Sequence, residues 1–516
     1  MNDQEVSSLT KKCENGDAEA CLLLGDEYLE VQINFEIAMG YFRKCLELNH
    51  PAANRRIGYT AYQNGNLDLA REFWGIALKN GDLIAATNLG VLELRQGNLE
   101  PAREFFLIAA NSGDASSFYE LGKLEFSLSN MELAESYFLK AINLGFNFCY
   151  FELGEMRYRK DDLEGAILFW LQGAEKGDKN CMVVLAETEI KNENFELAKQ
   201  WLLKVDDTSR PRMVYMLARS EEGLGNMAEA KRLYQVASES DYAPAFTQLG
   251  RFASQEGNHE LKNEYWEKSC KMGSGDVCLV LGLEANSMGN IEKARGYMDL
   301  AIQLNDFNAA VERGCLEIEV GDFNKAREYF MKSLAQGNIR GLYELGILEH
   351  KMGNVAEAII AFNEAAQEGY YYAHYNLGYI YINQGDMIRT RENFEKLIEH
   401  KVPGAENAMG YLELKESNYE KARPLLEKAL KDGDLYGALN LGYIEKSEGN
   451  TDKAIEYFNI ALKSNSKELL IQVHEQLREL YLSINEGEIA RIHEKKLNEM
   501  EDLPISVAKE HSSLMN

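Results

Sequence analysis

Six tyrosines and one histidine, His374, fall within the twelve residues Tyr370–Tyr381, in the stretch EGYYYAHYNLGYIYINQGD. Tyrosine rings bury area while keeping a polar tip, so such a cluster suits recognition of another polypeptide and equally suits packing between helices. Other residues able to do chemistry are dispersed. The eight histidines (His50, His259, His350, His374, His400, His474, His493, His511) form no metal spacing. The eight cysteines (Cys13, Cys21, Cys45, Cys149, Cys181, Cys270, Cys278, Cys315) include no Cys-x-x-Cys pair, and Cys21, Cys45 and Cys149 are expected as inert buried thiols. No glycine-rich loop could cradle a phosphate, and no separate segment could house a nucleophile with its base. The expectation is therefore a chain that is not an enzyme, with no catalytic residue, metal ligand or cofactor.

Which way each ring points depends on the elements that carry it. A small residue recurs at Gly25, Gly58, Gly90, Gly122, Gly154, Ala186, Ala218, Gly250, Gly282, Gly314, Gly346, Gly378, Gly410 and Gly442; after a first step of 33, every step is 32 residues. A second small track (Ala70, Ala102, Ala134) and a third (Ala77, Ala109, Ala141) run in phase with it. Each cycle reads as two helices, A and B. Helix A carries the Leu-Gly pair and closes near Gly97-Asn98, Gly289-Asn290 or Gly353-Asn354, where glycine suits a left-handed residue and asparagine caps the next helix. Asn226-x-x-Glu229 and Asn354-x-x-Glu357 predict reciprocal capping boxes. Pro51, Pro211, Pro244 and Pro403 fall where helix A begins, Pro101 in the first turn of helix B, and Pro424 deeper in a helix, where a kink is expected.

These residues resemble the tetratricopeptide and Sel-one-like superfamily of helical repeats over about residues 17–465. The spacing of Gly90, Ala102 and Ala109 is similar to the tetratricopeptide hairpin, and the link through Gly81-Asp82 to the Sel-one-like connection. The resemblance implies an all-α, right-handed superhelical solenoid of about 14 helix-turn-helix repeats. Residues 1–16 are read as an N-terminal capping helix, 466–500 as a C-terminal capping helix pair, and 501–516 as a disordered tail.

Family geometry places five helix-A positions per cycle on the concave surface. They hold 12 basic against 8 acidic residues, a local excess within a chain of net charge -28. The candidate groove residues are the bases Arg212, Arg219, Arg251, Arg340, Lys351 and Lys415, with Tyr215, Tyr343, Tyr372, Tyr375, Tyr379, Tyr411, Tyr436 and Tyr443. Tyr381 and His374 take packing slots instead. Glutamate recurs three residues after the small position, as in Glu93, Glu125, Glu317 and Glu349, with a base ten residues later in five of eight cycles. An ion pair joining helices A and B accounts for that spacing; a cation-binding acid ladder is the alternative.

The implied function is a protein-interaction scaffold or adaptor holding a peptide or partner domain, of acidic character, in its groove. A peptide-responsive regulator acting through a separate effector is the alternative. Asn88, Asn376 and Asn440 occur, but the position just after each residue of the first small track (Gly25 to Gly442) never holds asparagine, so a carboxylate clamp is not expected. With 55 Lys+Arg against 83 Asp+Glu, the chain repels nucleic acid. No apolar run reaches membrane-spanning length, no signal peptide is read at the N-terminus, and the cysteine usage suggests a reduced, cytoplasmic compartment.

Overall fold

The computed structural model describes residues 1, 3–205 and 210–501, which form 31 helices and, among the described residues, no strand. The expected tail beyond residue 501 lies outside them. The fold is an all-α helical-repeat solenoid. It divides into two compact units, the first from Met1 to Ala245 and the second from Phe246 onward. Within each, helix A of a hairpin packs on its helix B, and B packs on the next A. Helices A of successive hairpins also touch, as Ala405–Lys415 and Leu435–Ser447 do, so they share one continuous face. The lone helix Asp3–Glu14 precedes the first hairpin, and Lys467–Ser483 with Gly487–Glu501 follows the last. Among the described residues no helix is long and apolar enough to cross a membrane.

The period comes from one contact. In the helix Arg340–Lys351, a Cβ added to Gly346 would lie 2.6 Å from Phe362 Cε1, whose ring is fully buried. Gly90 under Phe106, Gly122 under Phe138 and Gly58 under Trp74 repeat the arrangement sixteen residues apart. Ala358 and Ala365, both without exposed surface, flank the ring on helix B. The turn closing helix A is left-handed at Gly97 (φ 80°) and Gly353 (φ 82°), as the sequence predicts. Pro211 is the first residue of its helix, and Pro424 sits inside Tyr419–Lys431, which continues through it.

The glutamate track joins different partners from those expected. Glu125 receives Arg103 Nε at 2.7 Å, and Glu413 receives Arg391 Nη1 at 2.6 Å, in both cases from helix B of the preceding hairpin. Arg71–Glu93, Lys199–Glu221, Arg295–Glu317 and Arg327–Glu349 follow the same rule. The expected pairing within one hairpin is thus corrected: the ion pair staples successive hairpins together. Glu135 and Arg157 occupy the same two places with the charges exchanged, 2.5 Å apart.

The second oxygen of each glutamate also explains why the capping boxes fail. Asn226 and Asn354 make no capping bond; their side-chain amides donate to Glu221 and Glu349, both at 2.8 Å. A carboxylate is the stronger acceptor and wins the asparagine. Where that glutamate is missing, as before Asn66, Asn258 and Asn290, the asparagine caps its helix. Bonds from Lys199 and Asn226 outweigh burial and hold Glu221 below the usual carboxylate range.

Two features depart from the cysteine and histidine readings. Cys13–Cys21 and Cys270–Cys278 are disulfides, each tying a helix B, or its capping equivalent, to the next helix A. Cys21 is therefore not a free thiol, and because disulfides persist in oxidising surroundings, the cysteines do not support a reduced compartment. The signal was present: two Cys-x7-Cys spacings stand in the same repeat register, twelve and four residues before Gly25 and Gly282. Cys45, Cys149 and Cys181 are free and buried. In the terminal pair, His474 Nδ1 and His493 Nδ1 share a buried hydrogen bond of 2.7 Å, with Tyr481 stacked on His493.

Two outcomes follow from these contacts. Arg103→Leu should cost about 3–5 kcal/mol by stranding the buried carboxylate of Glu125, and the exchanged pair Arg103→Glu/Glu125→Arg should recover most of it in urea unfolding. Burial, then the charge of His493 and Lys496, depresses His474, and burial depresses His493. Both imidazoles therefore favour the folded state above about pH 6.5 and lose that contribution as pH falls. Amide exchange across residues 467–501 should quicken between pH 7.5 and 5.5, and the change should flatten in His474→Phe/His493→Leu.

Candidate functional site

The shared face of helices A is best formed in the second unit. Ala373–Asn383, Ala405–Lys415, Leu435–Ser447 and Lys467–Ser483 together line a cavity of about 350 Å3. Its walls include Tyr379, Tyr411, Tyr436 and Tyr443; its apolar side chains are Ile382, Leu414 and Leu439; and Asn383, Asn407, Asn440, Gln472 and Lys415 supply the polar groups. No carboxylate is among the lining residues.

Register explains the tyrosines. Tyr379, Tyr411 and Tyr443 each follow directly on a small residue, so they repeat at hairpin spacing along one face. Tyr379 meets Phe394 edge-on at 5.5 Å between centroids, and Tyr443 meets Phe458 at 5.8 Å, which fixes the ring bodies on helix B. Tyr379 and Tyr411 lie 6.2 Å apart. Burial, with the nearby Glu475 carboxylate next, pushes the Tyr443 phenol up to about 12, so it stays a hydrogen-bond donor at neutral pH. Lys415 is exposed, with Nζ 5.2 Å over the Tyr411 ring and no carboxylate partner among the described residues. Asn440 Nδ2 donates to Asn407 Oδ1 at 2.9 Å.

Other candidate residues do different work. Tyr343 is only 5% exposed, packed between Phe362 and Tyr370, so the expectation of a groove contact is corrected to core packing. Tyr372 and Tyr375 are half-buried, and the Tyr375 hydroxyl donates to the Pro403 carbonyl at 2.5 Å, tying it to the next hairpin. Tyr436 lines the cavity with its hydroxyl 3.4 Å from Ser466 Oγ. Tyr381 is buried, with the Arg389 guanidinium 4.4 Å over its ring, and His374 bonds Asn393.

The basic residues are mostly satisfied within the chain. Arg340 pairs with Glu312 at 2.9 Å and Glu344 at 3.3 Å. Burial disfavours its charge, but the two carboxylates outweigh that and keep it firmly protonated. Lys351 lies 5.9 Å over Phe323, and Arg251 donates to Gln248 at 2.9 Å. In the first unit, Arg212 pairs with Glu187, Arg219 bonds Tyr215, and Tyr215 packs on Tyr234 and Tyr242. Of these bases Arg212 and Arg340 are neutralised by acids on neighbouring helices, and the partners of Arg340, Glu312 and Glu344, stand outside the concave positions. Sequence reasoning also missed Asn407 and Asn383, which stand at concave positions three before Gly410 and five after Gly378 but are neither charged nor aromatic, and Gln472, which lies beyond the last regular hairpin.

No nucleophile is prepared here. Burial, followed by the Asp26 and Glu19 charges, pushes the Cys45 thiol up to about 11; burial and Glu152 push Cys149 up to about 12. Among the described residues no group of three or more His, Cys, Asp or Glu side chains gathers as metal ligands would.

Tetratricopeptide-repeat profiles match residues 55–117, 311–373 and 407–468, and a second such profile matches 115–144 and 371–399. A search of curated proteins finds no match. Among solved structures, a protective antigen present in uropathogenic Escherichia coli strains, displaying an SLR fold, aligns over 98% of both chains at 20% identity with a TM-score of 0.51, which shows a shared fold. A Sel1 repeat protein from Oxalobacter formigenes aligns over 52% of this chain and 88% of its own, at 17% identity and TM-score 0.42. Yeast Tom70 aligns over 81% and 97%, at 15% identity and TM-score 0.37.

Tyr343→Ala should destabilise the second unit by about 3–5 kcal/mol, whereas Lys415→Ala should stay within about 0.5 kcal/mol. Thermal unfolding of the two variants separates the packing ring from the exposed face.

Proposed function

We propose that the chain, which matches tetratricopeptide-repeat profiles and shares its fold with an SLR protein, is a non-enzymatic interaction scaffold which holds a peptide segment of a partner protein on the helix-A face of its second unit. Repeats of this kind generally serve as protein-interaction scaffolds. The observation that carries the reading is the cavity built by four alternate helices, lined by tyrosines of which Tyr379 and Tyr443 are fixed from behind. A preformed surface loses little freedom on binding, and rings anchored at one edge add area without ordering cost.

The contact residues assigned to this face are Tyr379, Tyr411, Tyr436, Tyr443 and Lys415, with Tyr372 and Tyr375 at its edge. The basic tracks contribute less than their number suggests, because Arg340 and Arg212 are held by acids of the chain. Lys415, which pairs with no carboxylate among the described residues, is assigned to orient a carboxylate of the partner.

Panning a random dodecapeptide display library against the full chain tests this. Selected peptides should bind wild type and lose at least about tenfold in affinity, about 1.4 kcal/mol, against Tyr379→Ala/Tyr411→Ala/Lys415→Glu. Peptides that bind the variant as well as wild type would place the interaction elsewhere and sink the reading.

A further inference from the structure

The cavity contains a polar pair that a generic peptide groove does not require. Asn407 and Asn440 stand on successive helices A, are 4% and 5% exposed, and are joined by the single bond from Asn440 Nδ2 to Asn407 Oδ1. That bond leaves both N–H groups of Asn407, the second N–H of Asn440 and the carbonyl of Asn440 without partners among the described residues, and both side chains line the cavity. Neither Asn407 Nδ2 nor Asn440 Oδ1 is sealed off from the cavity space. Exchanging oxygen and nitrogen in both side chains leaves the same result, a free amide NH2 group beside a free carbonyl.

The pair discriminates between ligand classes. An anion would meet the Asn440 carbonyl, and a cation would meet the Asn407 N–H with the Lys415 ammonium nearby. A neutral amide, with one N–H and one C=O, meets the free carbonyl and one of the free N–H groups at once, and buried polar groups left unmatched are costly. The volume of about 350 Å3 is near the lower limit for ligand pockets and fits one large side chain. Tyr379, Tyr411 and Tyr443 around it favour a further ring in tilted or edge-on contact.

We propose that this cavity is an anchor site for a single aromatic residue of a bound peptide, whose main-chain amide is held across Asn407 and Asn440 while its ring enters among the tyrosines. The proposal rests on the scaffold reading above and adds the chemistry of the residue that is recognised. Asn407 and Asn440 read the main chain, so the site selects a ring by shape and a peptide by its amide, with no need for a charged anchor.

The probes are N-acetylphenylalanine methylamide, its analogue methylated on both amide nitrogens, and N-acetylalanine methylamide, titrated into the full chain by saturation-transfer NMR. The phenylalanine amide should bind with a dissociation constant of millimolar order. The N-methylated analogue and the alanine amide should each bind at least about fivefold more weakly. Asn407→Leu/Asn440→Leu removes both partners of the internal bond together, so it should preserve the fold while erasing the difference between the phenylalanine amide and its methylated analogue. Equal binding of those two probes to wild type overturns the proposal without recourse to any variant, as does absence of binding. Dodecapeptides that depend on Tyr411 and Lys415 but show no aromatic preference would sink the anchor and leave the scaffold reading standing; peptides that ignore the face would sink both.

Discussion

The approach of Phe362 to Gly346 leaves no room for a single added carbon, and the same approach is made at Gly90, Gly122 and Gly442. Because a helix can come this near another only where it lacks a side chain, the position of the small residue sets where helix B crosses helix A. The alanines on either side of the ring let the crossing stay close along the helix. A hairpin built on one such crossing buries too little to stand alone, so its remaining apolar faces must be covered by the hairpins before and after it. The strict step of 32 residues is the consequence: each unit has to present the same faces at the same places to be covered by its neighbour.

Stacking by apolar contact alone leaves rotation between neighbours weakly defined, and the buried glutamate restricts it. One carboxylate oxygen takes a guanidinium or ammonium from the preceding hairpin, and the other takes the asparagine that begins its own helix B. Three helices from two hairpins thus meet at one acceptor. The exchanged pair Glu135–Arg157 shows that the geometry, and not the sign at either end, is what the stack needs. Where Ile359 stands in place of the base, Tyr381 stands in place of the acid, so the two members are lost together. The disulfides Cys13–Cys21 and Cys270–Cys278 fasten the same junction between successive hairpins by a covalent route.

Periodic features were legible in the sequence because each is repeated many times in phase. Helix order and the left-handed closures followed from counting. What failed was partner choice at equal spacing. Glu125 lies ten residues before Glu135 and twenty-two after Arg103, and only the packing of one hairpin on the next decides which residue it faces. The same blindness misassigned Asn226 and Asn354, whose capping role is sound locally and is overridden by a carboxylate five residues earlier. Tyr343 was read from its register as groove-facing, but the rings of Tyr370 and Phe362 close over it. Local excesses of charge proved the least transferable signal, since Arg340 is neutralised by Glu312 from a different hairpin.

The aromatic cluster gathers where the repeat departs furthest from its rule. In the hairpin Ala373–Glu399, Thr390 and Leu397 replace both alanines and the charged staple to the preceding hairpin is absent, yet Phe394 remains fully buried under Gly378. Thr390 fits because its hydroxyl donates to the Asp386 carbonyl at 2.8 Å. Tyrosines add ties of their own: Tyr371 stacks on His400 at 3.6 Å, Tyr375 reaches the Pro403 carbonyl, and Tyr381 lies beneath Arg389. Tyr371 and Tyr381 are engaged in packing. Tyr379, Tyr411 and Tyr443 differ because the position after the small residue faces neither helix B nor the next hairpin fully, so each keeps one side against the stack and one toward the cavity. A surface of this kind is rigid for the same reason that the solenoid is stable, and its specificity can reside in the few groups, Asn407 and Asn440 foremost, that packing leaves unsatisfied.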